Sequence, residues 1–99
     1  MTVAFVQREG GPERLICEAE VTFHDGLLAG MKLIGFTLWR GPDPQVFVTF
    51  PARSFGAGCD RRFFDFLRPA DGTSSNSEDV RRVKQAIVDA WQAHAAQAA

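Results

Sequence analysis

Apolar and polar residues alternate along roughly the first 68 positions of the chain, and a period of two is typical of β-strands that bury one face. The clearest case is the segment 17–24, where apolar residues stand at 17, 19, 21 and 23 and polar residues stand between them. One face of this strand is therefore expected to be buried, and the other is expected to face water.

Glycine and proline divide the alternating region into separate strands. Asp25 and Gly26 supply turn chemistry, so the residues after them are expected to return as the second arm of a hairpin. Prolines at 42, 44 and 51 lack the amide donor of a central strand, and the glycines at 56 and 58 mark a further turn. The pattern predicts five strands, at 3–7, 17–24, 27–40, 45–50 and 60–67.

The spacing of apolar residues changes after the predicted loop 71–76, because they then recur every three or four positions, as on one face of a helix. Ser77 can cap the first amides, and Glu78 and Asp79 place negative charge at the positive end of the helix dipole. The apolar stripe consists of Val80, Val83, Ile87, Ala90, Trp91 and His94. These elements predict one α+β domain over residues 1–99, in two layers, with an antiparallel sheet of four to five strands and one C-terminal helix.

The composition is that of an ordinary water-soluble domain. Of the 99 residues, 45% are hydrophobic and 23% are charged, which excludes the disordered, collagen-like and membrane-spanning classes. The first residues lack the basic and apolar regions of a signal peptide, so we expect a cytoplasmic protein that does not bind membranes. In that compartment Cys17 and Cys59 are expected to remain free thiols.

Basic residues are concentrated in the second half of the chain. Residues 1–50 carry four Lys or Arg against six Asp or Glu, whereas residues 51–99 carry seven against six. A formal net charge of -1 argues against a broad basic surface, so binding to nucleic acid would depend on a local patch. The plainer interpretation is a solvated charged face. The seven cations are Arg53, Arg61, Arg62, Arg68, Arg81, Arg82 and Lys84.

The order of several segments resembles the SpoVG family of bacterial regulators. The run VFVTFPAR at 46–53 is similar to that family's aliphatic strand, which ends in a proline, a small residue and a basic residue before a glycine-containing loop. A strand with Arg and Phe that ends at a proline (61–69) and a helix with basic residues in its first turns (76–91) follow. The resemblance extends over residues 15–92 and implies a dimeric protein that binds DNA or RNA and regulates gene expression.

The aromatic content indicates that the helix alone does not bury all the aromatic side chains of the sheet. The chain holds nine phenylalanines and two tryptophans, more than one helix can cover on one side of a sheet. In the strand at 60–67, Phe63 and Leu67 alternate with Phe64 and Phe66, so bulky side chains fall on both faces. A homodimer is the commonest solution. The alternative is that exposed rings flanked by arginines stack on unpaired bases, and Phe64 and Phe66 are candidates for either role.

No catalytic arrangement is evident. His24 and Asp25 beside a serine such as Ser54 lack the strained nucleophile turn of a hydrolase, and the cysteines and histidines lack the short spacing of structural zinc sites. We therefore expect no catalytic activity, no metal and no cofactor. The rival to nucleic-acid binding is a protein-interaction module that uses a sheet edge or an apolar sheet face.

The candidate phosphate contacts are predicted to converge on one surface. A hairpin through the glycine-containing loop would bring the basic residues on either side of it to the same end of the sheet. The cations in the first turns of the helix lie near its free amides, which also favour an anion. The predicted set consists of Arg53, Arg61, Arg62, Arg81, Arg82 and Lys84.

Overall fold

Two antiparallel sheets and a long C-terminal helix make up the computed structural model, which describes residues 1–7, 9–42, 45–60, 62–72 and 77–98. The elements of these residues are β1 (Thr2–Val6), β2 (Leu15–Thr22), β3 (Lys32–Arg40), β4 (Val46–Thr49), β5 (Ala52–Phe55), β6 (Arg62–Asp65) and α1 (Glu78–Ala98), with a 3-10 turn at Gly58–Asp60. Strands β1 to β4 form the larger sheet in chain order, and β5 and β6 form the smaller one. The predicted α+β class is confirmed.

Strand β2 lies in the centre of the larger sheet and shows the alternation that the sequence predicts. It pairs antiparallel with β1 on one side and with β3 on the other. Cys17, Ala19 and Val21 are buried, whereas the residues between them are half-buried. Phe23, just after the strand, packs against the core. The inner face of β2 is therefore the one that α1 covers.

The outer face of the larger sheet combines polar side chains with apolar ones, among them Trp39 and the exposed Phe47 that pairs with it. Lys32 donates to the carboxylate of Glu20 at 2.9 Å, and the indole N–H of Trp39 donates to the hydroxyls of Thr37 and Thr49, each at 3.0 Å. The two threonine hydroxyls also hydrogen-bond to each other across β3 and β4. Of the five phenylalanines that are exposed in the part of the chain that the structure describes, Phe47 lies on this face, and the other four come after Pro51 in the chain.

Helix α1 begins at the predicted cap and packs through the predicted stripe. The backbone N–H of Val80 donates to the Ser77 hydroxyl at 3.4 Å, which satisfies one of the free amides of the first turn. Ile87 is fully buried, and the edge of the Trp91 ring meets the ring of Phe5 at 5.2 Å between centroids. The helix thus spans the sheet from β4 to β1.

One hydrophobic core lies between α1 and the larger sheet. Phe36 and Phe50 meet edge to face within it, at 5.5 Å between ring centroids. The buried apolar residues are Cys17, Ala19, Val21, Phe36, Leu38, Val48, Phe50, Val80 and Ile87. Along the described residues, no helix combines the length and the apolar character that crossing a membrane requires.

The connection between β2 and β3 differs from its prediction. The sequence predicts a strand over 27–40 directly after a tight turn, but β3 begins only at Lys32. Gly26 and Gly30 adopt positive φ angles of 74° and 86°, which allow successive turns, and Leu27 is left fully exposed. The apolar run at the start of this segment therefore belongs to a loop.

The smaller sheet departs from the sequence prediction. The sequence predicts one strand over 60–67 and a loop around Arg53, whereas Arg53 lies in β5, which pairs with the shorter strand β6. Pro51 ends β4 because it has no N–H to donate, and its carbonyl instead accepts a hydrogen bond from the Phe66 amide at 2.8 Å. The chain therefore leaves the larger sheet at Pro51 and returns at Phe66, after a separate hairpin.

Candidate nucleic-acid interface

The hairpin of β5 and β6 exposes several aromatic side chains to solvent. All four residues of β5 and three of the four residues of β6 are exposed, and none of these eight belongs to the hydrophobic core. The exposed fractions are 46% for Phe55, 68% for Phe63, 45% for Phe64 and 65% for Phe66. Exposed aromatic side chains that gather in one patch often mark an interaction site, and the hairpin carries such a patch.

One face of the hairpin interleaves arginine with phenylalanine. Arg53 pairs across the strands with Phe64, and Phe55 pairs with Arg62, so these four side chains project to the same side. The Arg53 guanidinium carbon lies 4.8 Å from the centroid of the Phe55 ring, and the rings of Phe55 and Phe64 meet at 5.3 Å with an interplanar angle of 75°. We call Arg53, Phe55, Arg62 and Phe64 the hairpin face.

The opposite face of the hairpin has a different character. By register it carries Ala52, Ser54, Phe63 and Asp65, and therefore has an acid in place of arginine. Phe63 is the most exposed ring of the hairpin, at 68%. The two faces consequently offer separate surfaces, and among the described residues of the two strands themselves, positive charge lies beside the rings on the hairpin face alone.

A cavity of about 520 Å³ opens beside the hairpin face. Phe55 and Phe64 line it together with Phe66, Arg68 and one carboxylate, that of Asp65. Phe66 lies just beyond β6, where its amide bonds the carbonyl of Pro51. The cavity thus brings an additional ring and an additional guanidinium next to the hairpin face.

The remaining predicted cations lie at the start of α1. Arg82 donates to Asp79 at 2.9 Å in an exposed i,i+3 ion pair, and the ammonium of Lys84 lies 5.5 Å from the centroid of the Phe50 ring. Arg81 and Lys84 line a groove of about 380 Å³ between α1 and β4. This second basic group borders the strand that leads into the hairpin.

The helix start and the residues after the hairpin line the same cavities. A small cavity of about 100 Å³ is lined by Arg68 from the hairpin side and by Arg82 and Asp79 from the helix side. A second cavity, of about 260 Å³, reaches from Phe63 to Val80. Two of the six predicted cations therefore share the hairpin face, and three lie at the adjoining helix start. The sixth, Arg61, lies outside the described residues.

Phe55 and Arg68 belong to this surface although the sequence pattern does not place them there. The glycines after Phe55 indicate a turn. Phe55 nevertheless stands two positions after Arg53, and in a strand this spacing puts both side chains on one face. Arg68 is one of the seven clustered cations, and no sequence signal gives its position. The structure brings it between the two basic groups, where it lines the cavities on both sides.

The cysteines and acids offer no second site in the described part of the chain. Burial raises the pKa of the Cys17 thiol, and the neighbouring charge of Glu18 raises it further, so this thiol stays protonated. Cys59 is free and exposed. Across the described residues, no three His, Cys, Asp or Glu side chains come together as a metal site would require.

Fold and surface together define a small α+β protein that presents an exposed Arg–Phe hairpin beside the basic start of a helix. No family model, no curated protein and no solved structure matches the chain. The resemblance to the SpoVG family consequently remains a prediction from the sequence.

Proposed function

We propose that this chain is a SpoVG-like regulator of gene expression that binds nucleic acid as a homodimer in the cytoplasm. The observation that carries the proposal is the hairpin face, on which Arg53 and Arg62 alternate with two exposed rings. Arginine binds phosphate through several N–H donors, and aromatic rings bind bases. A surface that offers both side by side can bind the phosphate and the base of the same nucleotide.

The helix start extends this surface. Arg82 and Lys84 lie beside the base of the hairpin, and Arg68 lies between the two groups. The Asp79–Arg82 pair opposes binding only weakly, because an exposed i,i+3 pair contributes about 0.2–0.5 kcal/mol to an isolated helix. Phosphate can therefore displace the carboxylate at small cost.

The dimer is supported by surface that the hairpin face does not use. Phe63 on the opposite face is 68% exposed, and within the described part of the chain neither outer edge of the hairpin pairs with a further strand. Unpaired edges and exposed rings are common sites of self-association. Sedimentation at micromolar concentration should show a dimer, and a monodisperse monomer would remove this part of the proposal.

Binding across a salt series tests the nucleic-acid proposal. We expect labelled oligonucleotides to bind with an affinity that falls steeply with salt. Replacing Arg53 and Arg62 with alanine should reduce the log–log salt slope by about one for each phosphate that the variant no longer neutralises. The matched control replaces Arg14 and Arg40, which lie where β2 begins and β3 ends, at the end of the sheet away from the hairpin. Equal reductions from both pairs would contradict the assigned surface.

One observation favours a second candidate, a protein-interaction module. The outer edge of β4 is unpaired in the larger sheet, and a groove of about 380 Å³ runs between this edge and α1, as a strand-accepting surface requires. An apolar protein interface would be nearly insensitive to salt, so the same salt series separates this candidate from nucleic-acid binding.

A further inference from the structure

We infer that the hairpin face selects single-stranded over double-stranded nucleic acid by stacking an unpaired base on Phe64, an inference that rests on the proposed function. Phe64 is 45% exposed and lies between the two arginines of the hairpin face. Stacking on an aromatic side chain stabilises an unpaired base of any sequence, because every base has a flat face. The proposal assigns the hairpin a ligand class: a short run of unpaired nucleotides.

The ring geometry assigns separate roles to the two phenylalanines. The planes of Phe55 and Phe64 are 75° apart, so their flat faces point in different directions. The guanidinium of Arg53 lies over the Phe55 ring, which leaves Phe64 as the ring for a base and Phe55 as the support that orients Arg53. The open cavity beside Phe64 gives a base room to enter.

The arginines lie at a distance that suits a single strand. Arg53 and Arg62 are diagonal neighbours across the two strands, and the Cα atoms of such residues lie about 7 to 8 Å apart, a span that the long arginine side chains can widen. Adjacent phosphates of an extended strand are separated by a similar distance, so one base on Phe64 can be flanked by two bound phosphates. A paired duplex keeps its bases stacked inside, where an exposed ring on a hairpin cannot reach a flat face.

A second copy of the chain fits the hairpin face less well. In a two-fold symmetric contact the same residues of both copies meet, so Arg53 and Arg62 would approach the same two arginines of the partner. Like charges brought together at an interface repel and weaken it. The phosphate backbone has the opposite charge and removes this repulsion, which favours a polynucleotide on this face.

Fluorescence anisotropy with the full chain tests the inference. The probes are labelled single-stranded oligo(dT) and oligo(rU) of about 12 nucleotides, within the ~4–16 that one small domain covers, and a DNA duplex of equal length. We expect either single strand to bind more tightly than the duplex at equal salt. Phe64→Leu keeps an apolar side chain but removes the flat face, and should weaken single-strand binding about 5- to 150-fold.

Two further variants isolate the stacking role. Phe64→Trp retains a flat ring, so it should keep the affinity for single strands. Phe63→Leu makes the same change as Phe64→Leu on the opposite face of the same strand, where the dimer contact is proposed, and should leave the ratio of single-strand to duplex affinity unchanged. Circular dichroism of each variant confirms that the fold is retained, because neither ring belongs to the core.

The outcomes separate this inference from the proposed function. If no oligonucleotide binds, both are wrong. If duplex and single strands bind equally and Phe64→Leu has no effect, the stacking inference is overturned while nucleic-acid binding stands. If Phe64→Leu instead converts a dimer to a monomer in sedimentation while Phe63→Leu does not, a second copy covers the hairpin face, and the inference is also overturned.

Discussion

Gly35 lies directly against Pro51, at the point where the chain leaves the larger sheet for the hairpin. A β-carbon added at Gly35 would lie 3.1 Å from the β-carbon of Pro51, and Gly35 adopts a φ of 102°. The pairing of β2 with β3 shows an irregularity at this place, between Ala19 and Val21. Glycine inside a strand often marks such a close backbone approach. This contact therefore contributes to the direction in which β5 departs.

Replacing Gly35 with alanine should destabilise the fold and displace the hairpin. The positive φ costs about 1–3 kcal/mol for a residue with a side chain, and the contact with Pro51 adds to that cost. Gly30→Ala is the matched control, because Gly30 has a φ of 86° but nothing within 4 Å of an added β-carbon. Chemical denaturation should show a larger loss of stability for Gly35→Ala, and only this variant should weaken oligonucleotide binding. Equal losses of stability and of oligonucleotide binding in the two variants would show that the contact between Gly35 and Pro51 is not important for the position of the hairpin.

Shortening Ile87 to alanine should lower the free energy of unfolding by about 2–5 kcal/mol. Ile87 is 0% exposed at the centre of the packed stripe of α1, so its truncation leaves a cavity in the core. Gln85→Ala, at an exposed position on the same helix, should change stability by no more than about 0.5 kcal/mol. Denaturant titration of the two variants gives the comparison. An Ile87→Ala protein as stable as the parent would mean that α1 does not hold the sheet.

The larger sheet and the helix could be predicted because their signals are local. Alternation in β2 identifies the buried face without knowledge of its neighbours, and a period of three to four identifies the stripe of α1. The prediction for the β2–β3 connection was wrong. Leu27 and Leu28 are apolar, as strand residues often are, but they lie exposed in a turn. The later start of β3 becomes visible in two backbone hydrogen bonds: the Phe23 amide donates to the Met31 carbonyl, and the Gly30 amide donates to the Phe23 carbonyl.

The hairpin could not be predicted as a separate sheet. A run of four residues such as β5 carries too little pattern to show which strand it joins. The cations of the site were identifiable from their concentration in the sequence. The interleaving of Phe55 with Arg53 became visible only once the register with β6 was known.

The two cysteines should differ sharply in reactivity. Cys17 is 1% exposed, and burial raises its pKa above the ordinary value of 9.0, whereas Cys59 is exposed. Because the thiolate is the reactive form, a thiol reagent should modify Cys59 alone in the folded chain and both residues in denaturant. Mass spectrometry of the labelled protein counts the modified sites, and Cys59→Ser should abolish labelling of the folded state. Rapid native labelling of Cys17 would show that the core opens readily.

The same shift should make stability depend on pH in the alkaline range. A thiol whose pKa is higher in the folded than in the unfolded chain holds its proton more tightly when folded. Its contribution to the free energy of unfolding is therefore complete below the unfolded pKa and is lost as the pH rises through the folded pKa. The free energy of unfolding should therefore fall as the pH is raised past 9.0. Cys17→Ala should show a smaller fall over the same range. Parallel pH profiles would contradict the assignment to Cys17.

Removing the charge of Asp79 should strengthen the binding of oligonucleotides. Asp79 holds Arg82 in an exposed pair at 2.9 Å, and phosphate must displace this carboxylate before it can reach the guanidinium. Asp79→Asn releases a pair whose energy of about 0.2–0.5 kcal/mol corresponds to a gain of about 1.5- to 2.5-fold in affinity. The variant should also be less stable by about 0.3–1 kcal/mol, because a carboxylate near a helix N-terminus is favourable.

Asp89→Asn distinguishes release of Arg82 from a general change in net charge. Asp89 lies on the same helix and accepts a hydrogen bond from Gln85 at 2.8 Å. Because Asp79 and Asp89 are both exposed, each variant removes one exposed negative charge. At a rise of about 1.5 Å per residue it lies roughly 15 Å farther along the axis, beyond the screening length of about 8 Å at physiological salt. If the helix start contacts phosphate, anisotropy should show tighter binding for Asp79→Asn alone. An equal gain in affinity from both variants would mean that binding depends only on the overall charge of the protein. The phosphate contacts would then have to be assigned to the hairpin face without α1.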